Sequence, residues 1–558
     1  MQMTGGQALA RQLAAEGVTD LFGIPGVQLD WATDALNDVQ PRIRFVVPRH
    51  EQAASYMADG YARTTGRPGV CMVVPGPGLL NALSGLATAY ACSSPVLCIA
   101  GQIPSTAIGK GWGLLHEVSN QSGMLASVTK WSRLARTPAE VAALVHQAFV
   151  ELRSGHPRPV GLEIPPDVLQ ARGDVSLLAA AVAPAPAAPP AAETATAAQW
   201  LREAGFPVVY AGGGVMAAGA CEALRKLAEQ LQAPVVMSDN GRGALSDRHP
   251  LALINLGGRV VLPHADVVLV VGSRFSNGMG RPHYDAPHAR YIYLNIEAGD
   301  MADSRPDGLR LLADARTGLE ALADELGPVQ RPPRHEQVAA VKAWCNEQIA
   351  WIEPQRSYLQ VLRESIPDDG VLVSELTQVG YAANFGYPVH RARTLITPGY
   401  QGTLGYGFPT SLGVAIGNPG RVVVSINGDG GFGWGLQELA TAARYRPNLV
   451  VVVFADQAFG NVRRMHNNAF QRETGTELHN PDFVKLADAF GLPGNRVDSP
   501  AGLRTALQSA IAGGGPALIE VAVSAMPSPW HLIYGFSKAP RPAPPNPLGE
   551  PAWMRATS

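Results

Sequence analysis

The stretch Val422-Val423-Val424-Ser425-Ile426-Asn427-Gly428-Asp429-Gly430-Gly431 decides how this chain is read. An apolar run of strand length ends in a carboxylate flanked by glycines. A second run, Val450-Val451-Val452-Val453-Phe454-Ala455, ends in Asp456, twenty-seven residues after Asp429. The stretch between the two acids reads as one helix and one buried strand, which puts both carboxylates at the carboxyl ends of neighbouring strands. Ligands of open α/β sheets gather at those ends. Two oxygen ligands beside glycines with free N–H groups suit a Mg²⁺ ion holding a diphosphate, because Mg²⁺ takes one or two carboxylates and fills its octahedron with phosphate oxygens. A glycine turn beside two unrelated acids is the plain alternative, since short glycine motifs do not decide by themselves.

The same strand-and-helix rhythm runs outward in both directions. Helical spacing over 6–17, 50–65 and 78–93 alternates with strands over 43–47, 70–74 and 96–100. Strands follow over 208–211, 235–238, 267–271 and 291–296, then over 371–374 and 517–521. Near-continuous β-branched strands between helices predict parallel sheets covered on both faces. Two stretches hostile to regular structure interrupt the rhythm: Ala183-Pro184-Ala185-Pro186-Ala187-Ala188-Pro189-Pro190, an extended linker, and Gly327-Pro328-Val329-Gln330-Arg331-Pro332-Pro333. The fold class is α/β, with domains expected over 1–182, 191–330 and 340–530 and a tail over 531–558. Several domains fit 558 residues, because single cores stop growing near ~250–300. The first and third segments share a rhythm that permits an internal pseudo-symmetry.

A formal charge of −2 gives no electrostatic case for nucleic acid or an anionic membrane, and no basic and aromatic interleaving suggests single-strand binding. The longest apolar runs are strand length, too short to span a bilayer. Five cysteines without metal spacing read as free thiols of a reducing compartment, and with no signal segment the expected location is cytoplasmic.

Three motifs in order carry a family resemblance. Gly428-Asp429-Gly430-Gly431 followed by Ala455-Asp456-Gln457-Ala458-Phe459-Gly460 resembles the thiamine diphosphate signature, a Gly-Asp-Gly with a pair of asparagines some thirty residues on. Arg49-His50-Glu51-Gln52, with Pro75-Gly76-Pro77-Gly78-Leu79-Leu80-Asn81 downstream, resembles the pyrimidine-binding segment of acetolactate synthase-like enzymes. Tyr400-Gln401-Gly402-Thr403-Leu404-Gly405 resembles the turn that bends the cofactor. The resemblance runs to about residue 525. It implies three doubly wound parallel-sheet domains: pyrimidine-binding, central and diphosphate-binding.

That resemblance also distributes roles. Asp429, Asp456 and the carbonyl of Ala458 would hold Mg²⁺. Gly428, Asp429, Gly430, Gly431, Ala458, Phe459, Gly460, Val379 and Gly380 would line the diphosphate. Gly402 would accept from the pyrimidine amino group, and Leu404 would wedge beneath the cofactor. Glu51 would be the activating carboxyl, against the plain reading of an acid in a first helical turn. Active sites would lie between subunits of a homodimer or homotetramer.

Several positions depart from the family. Aspartate replaces the ligating asparagine at 456, keeping an oxygen donor and adding charge. Leu115-His116-Glu117 stands where acetolactate synthases carry Phe-Gln-Glu, so His116 would face the reacting atoms as a proton donor or hydroxyl partner. A core histidine satisfied by backbone is the competing view. Asn461 and Met465 would line the substrate pocket beside Leu115. Val462 stands where pyruvate decarboxylases place a catalytic glutamate, which favours carboligation over aldehyde release. Tyr381 and Ala382 stand where the diphosphate-touching glutamine and histidine are expected. Arg274-Phe275-Ser276-Asn277-Gly278 lacks the arginine that binds a second 2-oxo acid, though Arg281 is near. Leu256-Gly257-Gly258 lacks the flavin-associated residues, which implies no structural FAD.

The resemblance therefore implies a thiamine diphosphate- and Mg²⁺-dependent, 2-oxo acid decarboxylating carboligase. A non-ligating decarboxylase or C–C lyase is the enzymatic alternative, and a degenerate cofactor-binding subunit the non-enzymatic one. A Rossmann dehydrogenase is weaker, because Gly212-Gly213-Gly214 lacks the G-x-G-x-x-G spacing.

Overall fold

The strand Leu449–Ala455 is buried at every position and pairs in parallel with Val423–Gly428 on one side and Ala517–Ala522 on the other. Only a strand shielded on both faces tolerates so unbroken an apolar run. These facts come from a computed structural model describing residues 1–276, 286–301, 307–534, 544–551 and 553.

Three six-stranded sheets carry the fold. The first runs Arg44–Val46, Asp20–Gly23, Gly69–Val73, Val96–Gly101, Val160–Ile164, Trp131–Leu134. The third runs Leu395–Ile396, Val371–Ser374, Val423–Gly428, Leu449–Ala455, Ala517–Ala522, Gly494–Val497. Renumbered one to six in chain order, both sheets have the order 2-1-3-4-6-5. The pseudo-symmetry that the sequence permits is thus present in the topology. The middle sheet, renumbered likewise, runs 3-2-1-4-5-6, the order of dinucleotide-binding sheets. Its glycine turn serves packing: a Cβ on Gly212 would lie 2.2 Å from the Gly272 carbonyl oxygen.

By contact the chain divides into two compact units. One comprises Met1–Pro184, Val371–Thr377 and Ile396–Val523, and holds the first and third sheets. The other comprises Ala185–Gly370, Gln378–Leu395 and the chain from Ser524, and holds the middle sheet. Residues 175–190 and 327–334 carry no regular structure, where the sequence places its two linkers.

In the first unit one core serves both sheets, with Phe22, Tyr56 and Cys98 in the same cluster as Val373, Phe408 and Val451. Helix Glu51–Thr65 crosses helix Gly407–Gly417 at this core. Glycines set the approach. A Cβ on Gly413 would sit 2.0 Å from the Met57 carbonyl oxygen, and one on Gly60 2.3 Å from that of Thr410. Backbone cannot step aside as a side-chain tip can. Gly413→Val should therefore cost about 1–3 kcal/mol or more and lower the apoprotein melting temperature. Gly513→Ala, which meets nothing within 4 Å, serves as the neutral control. Equal melting of the two variants would show that the crossing is loose.

Two details differ from expectation. The stretch between Asp429 and the next strand is a short helix, Asp429–Phe432, a 3-10 turn, Leu436–Glu438, and helix Leu439–Tyr445, in place of one helix. Gly430, Gly431, Gly433 and Gly435 account for this, since glycine is among the poorest helix formers. Strands Trp131–Leu134, Val160–Ile164, Gly308–Leu312 and Gly494–Val497 join sheet positions that hydrophobic patterning leaves blank. All five cysteines are free. Among the described residues no helix is long and apolar enough to cross a membrane.

Candidate active site

The order 2-1-3 makes a switch point in each of the two related sheets, where connections from adjacent strands part in opposite directions and leave a crevice. In the third sheet the crevice lies beyond Val371–Ser374 and Val423–Gly428, so Glu375 and Asp429 flank it. Asp429 is buried. Its Oδ1 accepts the Gly430 N–H (2.9 Å), and its Oδ2 accepts the Gln457 N–H (2.8 Å) and the Asn480 amide (2.7 Å). Burial holds its pKa above the ordinary aspartate value. Asp456 follows the neighbouring strand, and its pKa is pushed up to about 6, first by burial and then by the charge of Asp429.

A cation fits this donor set. Two partly desolvated carboxylates on adjacent strand ends raise each other's proton affinity, and hard oxygens suit Mg²⁺. Among the described residues no cluster of three His, Cys, Asp or Glu could hold a metal. A cation here would rest on Asp429, Asp456 and a backbone oxygen such as that of Ala458, with diphosphate oxygens completing the shell. The turn carrying Ala458 is well braced. The Phe459 N–H bonds the Thr476 carbonyl (2.8 Å), the Leu478 N–H bonds that of Gln457 (2.9 Å), and Ala458 bridges Glu477. The Phe459 ring lies so close to Gly430 that a Cβ there would meet it at 2.7 Å. Gly428 ends the strand opposite Thr377.

The turn over 402–405 follows the 3-10 turn Gly399–Gln401. Gly402 and Gly405 both have positive φ (58° and 77°), a conformation that glycine adopts without strain. Leu404 between them is exposed. The Thr403 hydroxyl accepts from Tyr56 of helix Glu51–Thr65 at 2.8 Å, tying this turn to the first sheet's helix.

Glu51 opens that helix after the N-cap His50, whose Nδ1 accepts the Gln52 N–H. Its Oε2 accepts the Asn81 amide at 3.0 Å, and Gly78 lies beside Oε1. The preceding Arg49 N–H is held by Glu438 at 3.0 and 3.1 Å, a buried acid whose pKa burial pushes up to about 7. The chain entering the Glu51 helix is thereby fixed to the third sheet.

His116 has φ 66°, rare for a residue with a Cβ, beside Gly76 at φ 55°. A Cβ on Gly76 would strike the His116 carbonyl at 2.3 Å. The Gly76 N–H is held by Gln121 (2.8 Å), itself bonded to buried Glu163 (2.8 Å). The His116 partner is the side chain of Gln28, with Nδ1 3.2 Å from Oε1, and not backbone as a core histidine would have. The Gln28 amide nitrogen donates to the Leu115 carbonyl (3.3 Å), so its oxygen faces Nδ1. A neutral His116 therefore carries its proton on Nδ1 and leaves Nε2 as the free lone pair.

The remaining sites divide. Leu115, Met465 and Val462 are exposed, and helix Gly460–Phe470, which also bears Asn461, buries no side chain. Val379 and Gly380 belong to helix Gln378–Gly386 of the other compact unit, buried there. Tyr381 in that helix packs against Trp530, at 4.8 Å between ring centroids, and Ala382 is buried. Asn277, Gly278 and Arg281 lie outside the described residues. Hydrogen bonds of Glu51 and His116 stay within the first sheet's segment. Gln28, Asn81, Glu375, Glu438 and Asn480 are site neighbours that motif reading passed over. Asn81 lies within the 75–81 segment, and Glu438 follows the 428–431 turn within the same motif region, both without an assigned role; Gln28, Glu375 and Asn480 offer no local pattern.

Comparison with known proteins agrees with this architecture. Residues 3–124 match "Thiamine pyrophosphate enzyme, N-terminal TPP binding domain", 194–322 the central domain of the same family and 377–521 its C-terminal TPP binding domain. The chain belongs to the thiamine pyrophosphate enzyme family. It is 36% identical to a probable 2-ketoarginine decarboxylase of Pseudomonas aeruginosa, across 93% of this chain and 94% of that one. It is 32% identical to the large subunit of acetolactate synthase isozyme 2 of Escherichia coli, across 95% and 97%. A probable acetolactate synthase large subunit of Methanocaldococcus jannaschii is also 32% identical, across 93% and 92%.

Proposed function

We propose that this chain is a thiamine diphosphate- and Mg²⁺-dependent enzyme that decarboxylates a 2-oxo acid and joins the remaining fragment to an acceptor carbonyl. The relatives named above, a decarboxylase and two acetolactate synthases by their names, support the substrate class. The observation that carries the reading is the pair Asp429 and Asp456 on adjacent strand ends, the first beside the switch point, with Glu51 opening the helix that follows strand Arg44–Val46 of the related sheet. The cofactor supplies the electron sink that decarboxylation needs. The chain's residues do the rest. Asp429, Asp456 and the Ala458 carbonyl hold the cation. The N–H groups of Gly430, Gly431 and the 458–460 turn orient phosphate oxygens. Leu404 and the Gly402 carbonyl set the ring end, and Glu51 moves a proton there. Val462 offers no proton where the product is released, which leaves time for an acceptor.

Sites shared between two copies of the chain are compatible with exposed apolar side chains in the segments after strands of both related sheets: Val27, Trp112 and Leu115 in one, Leu404, Met465 and Phe470 in the other.

One observation favours simple decarboxylation as a second reading. His116, held by Gln28 with Nε2 free, is placed to pick up a proton and return it. Incubating the holoenzyme with pyruvate and with 2-ketoarginine, each with and without an added aldehyde, separates the two. Hydroxyketone product, with free aldehyde rising in His116→Ala no more than in wild type, supports ligation. Free aldehyde alone in wild type, falling about 10²–10⁴-fold in His116→Ala, selects the second reading.

A further inference from the structure

Glu375 takes no part in the steps above, yet it is a carboxyl sealed beneath the cofactor-facing turns. It follows Val371–Ser374 directly, at the switch point, and is 1% exposed. Its Oε1 accepts the Gly405 N–H at 2.7 Å, and the next backbone N–H, that of Tyr406, also favours the charged carboxyl. Its Oε2 has no hydrogen-bond partner. A Cβ on Gly431 would lie 2.1 Å from Oε1 and 2.6 Å from Oε2, and one on Gly407 3.0 Å from the Glu375 Cβ. The side chain is thus clamped between the wedge turn and the diphosphate turn, with glycine making room in both directions.

We propose that Glu375 is a positioning residue that locks the Gly402–Gly405 turn against Gly431, so that the wedge and the diphosphate floor are set as one piece. This inference rests on the proposed cofactor site. A merely space-filling residue would leave the Gly405 N–H unpaired in the interior, and unpaired buried donors are costly. The Tyr56–Thr403 bond ties the middle of the turn to helix Glu51–Thr65, and Glu375 ties its end to Gly431.

The protonation state follows from the surroundings. Burial pushes the carboxyl up to about 8, with the two N–H bonds pulling the other way and no charged group contributing. Tyr56, from the Glu51 helix, is the titratable group whose own hydroxyl responds to the charge of Glu375. Tyr406 lies on the turn, Asp429 begins the helix of Gly431, and Asn427 on the adjoining strand is neutral. No cation among these groups offsets an ionised Glu375. Near neutrality the acid is protonated, with the proton on Oε2 because Oε1 accepts the Gly405 N–H. Above about pH 8 a buried anion appears under the place meant for a diphosphate, and binding weakens.

Thiamine diphosphate titrated into Mg²⁺-saturated apoprotein between about pH 6.5 and 9 tests this. Wild type should lose affinity above pH 8, approaching tenfold per unit for one linked proton. Glu375→Gln, which keeps the volume and cannot ionise, should bind within about threefold of wild type at pH 7 and lose that alkaline limb. Gly431→Ala should weaken binding at least about tenfold, and Glu375→Asp in the same chain should recover part of the loss by withdrawing the carboxyl. Superimposable pH profiles for wild type and Glu375→Gln, or unimpaired binding by Gly431→Ala, would overturn the proposal. No uptake by any of the proteins, wild type included, would instead remove the cofactor site beneath it.

Discussion

Glu51→Gln should lower turnover by about 10²–10⁴-fold, the range general acid–base groups command, while thiamine diphosphate affinity stays within a few-fold of wild type. The asymmetry comes from where Glu51 sits. Its carboxyl touches Asn81 and nothing that the structure associates with the diphosphate. Glutamine keeps an oxygen to accept the Asn81 amide and keeps the first turn of the helix, so the pocket retains its shape. What it loses is the capacity to hold and release a proton. The measurement is exchange of the cofactor's C2 proton in deuterated water, quenched and read by NMR, beside a binding titration. Exchange at the wild-type rate with unchanged affinity would remove Glu51 from its role. Loss of affinity and exchange together would make it a binding group. Asn81→Ala should give a smaller loss of exchange rate, because it orients the carboxyl without carrying the proton.

What the sequence makes legible follows a physical divide. Strands such as Val267–Val271 and Leu449–Ala455 announce themselves because burial on both faces demands an unbroken apolar run. Strand Val160–Ile164 does not, because its buried Glu163 breaks the pattern. That acid accepts from Gln102 (3.0 Å), Gln121 (2.8 Å) and Ser122 (2.5 Å), partners that local reading cannot supply. Trp131–Leu134 is an edge strand with little burial, and one-sided exposure erases the hydrophobic signal.

The site divides in the same way. The placements of Asp429, Asp456 and Glu51 at strand and helix ends are legible because each lies in a contiguous motif with fixed spacing from such an end. Glu375 and Gln28 were not, since their meaning depends on the spatial neighbours Gly405, Gly431 and His116. The two related sheets share one order of strands, but no residue-level repeat betrays it, because topology constrains burial pattern and not identity.

Asp429 and Asp456, the proposed cation ligands, should respond in opposite directions when the apoprotein is melted. Asp429→Asn replaces an oxygen that accepts from Gln457 and Asn480 by an amide that accepts through one atom alone, so at least one of three N–H donors loses its partner. Hydrogen bonds to a charged group contribute about 1.5–3 kcal/mol, and the apoprotein should melt lower. Asp456→Asn removes a charge that burial and Asp429 already disfavour. It should raise the apoprotein melting temperature near neutral pH, where wild type keeps two like charges together. For Mg²⁺ uptake with thiamine diphosphate the order changes. Asp456→Asn keeps an oxygen donor and loses about tenfold or less, while Asp429→Asn loses about 10–150-fold, the same 1.5–3 kcal/mol read as affinity. Differential scanning fluorimetry with and without Mg²⁺ and cofactor gives both quantities for both variants. Matching apoprotein shifts from the two substitutions would mean that the carboxylates are not close like charges with unequal hydrogen bonding, and unchanged Mg²⁺ uptake by both would mean that they do not share a cation.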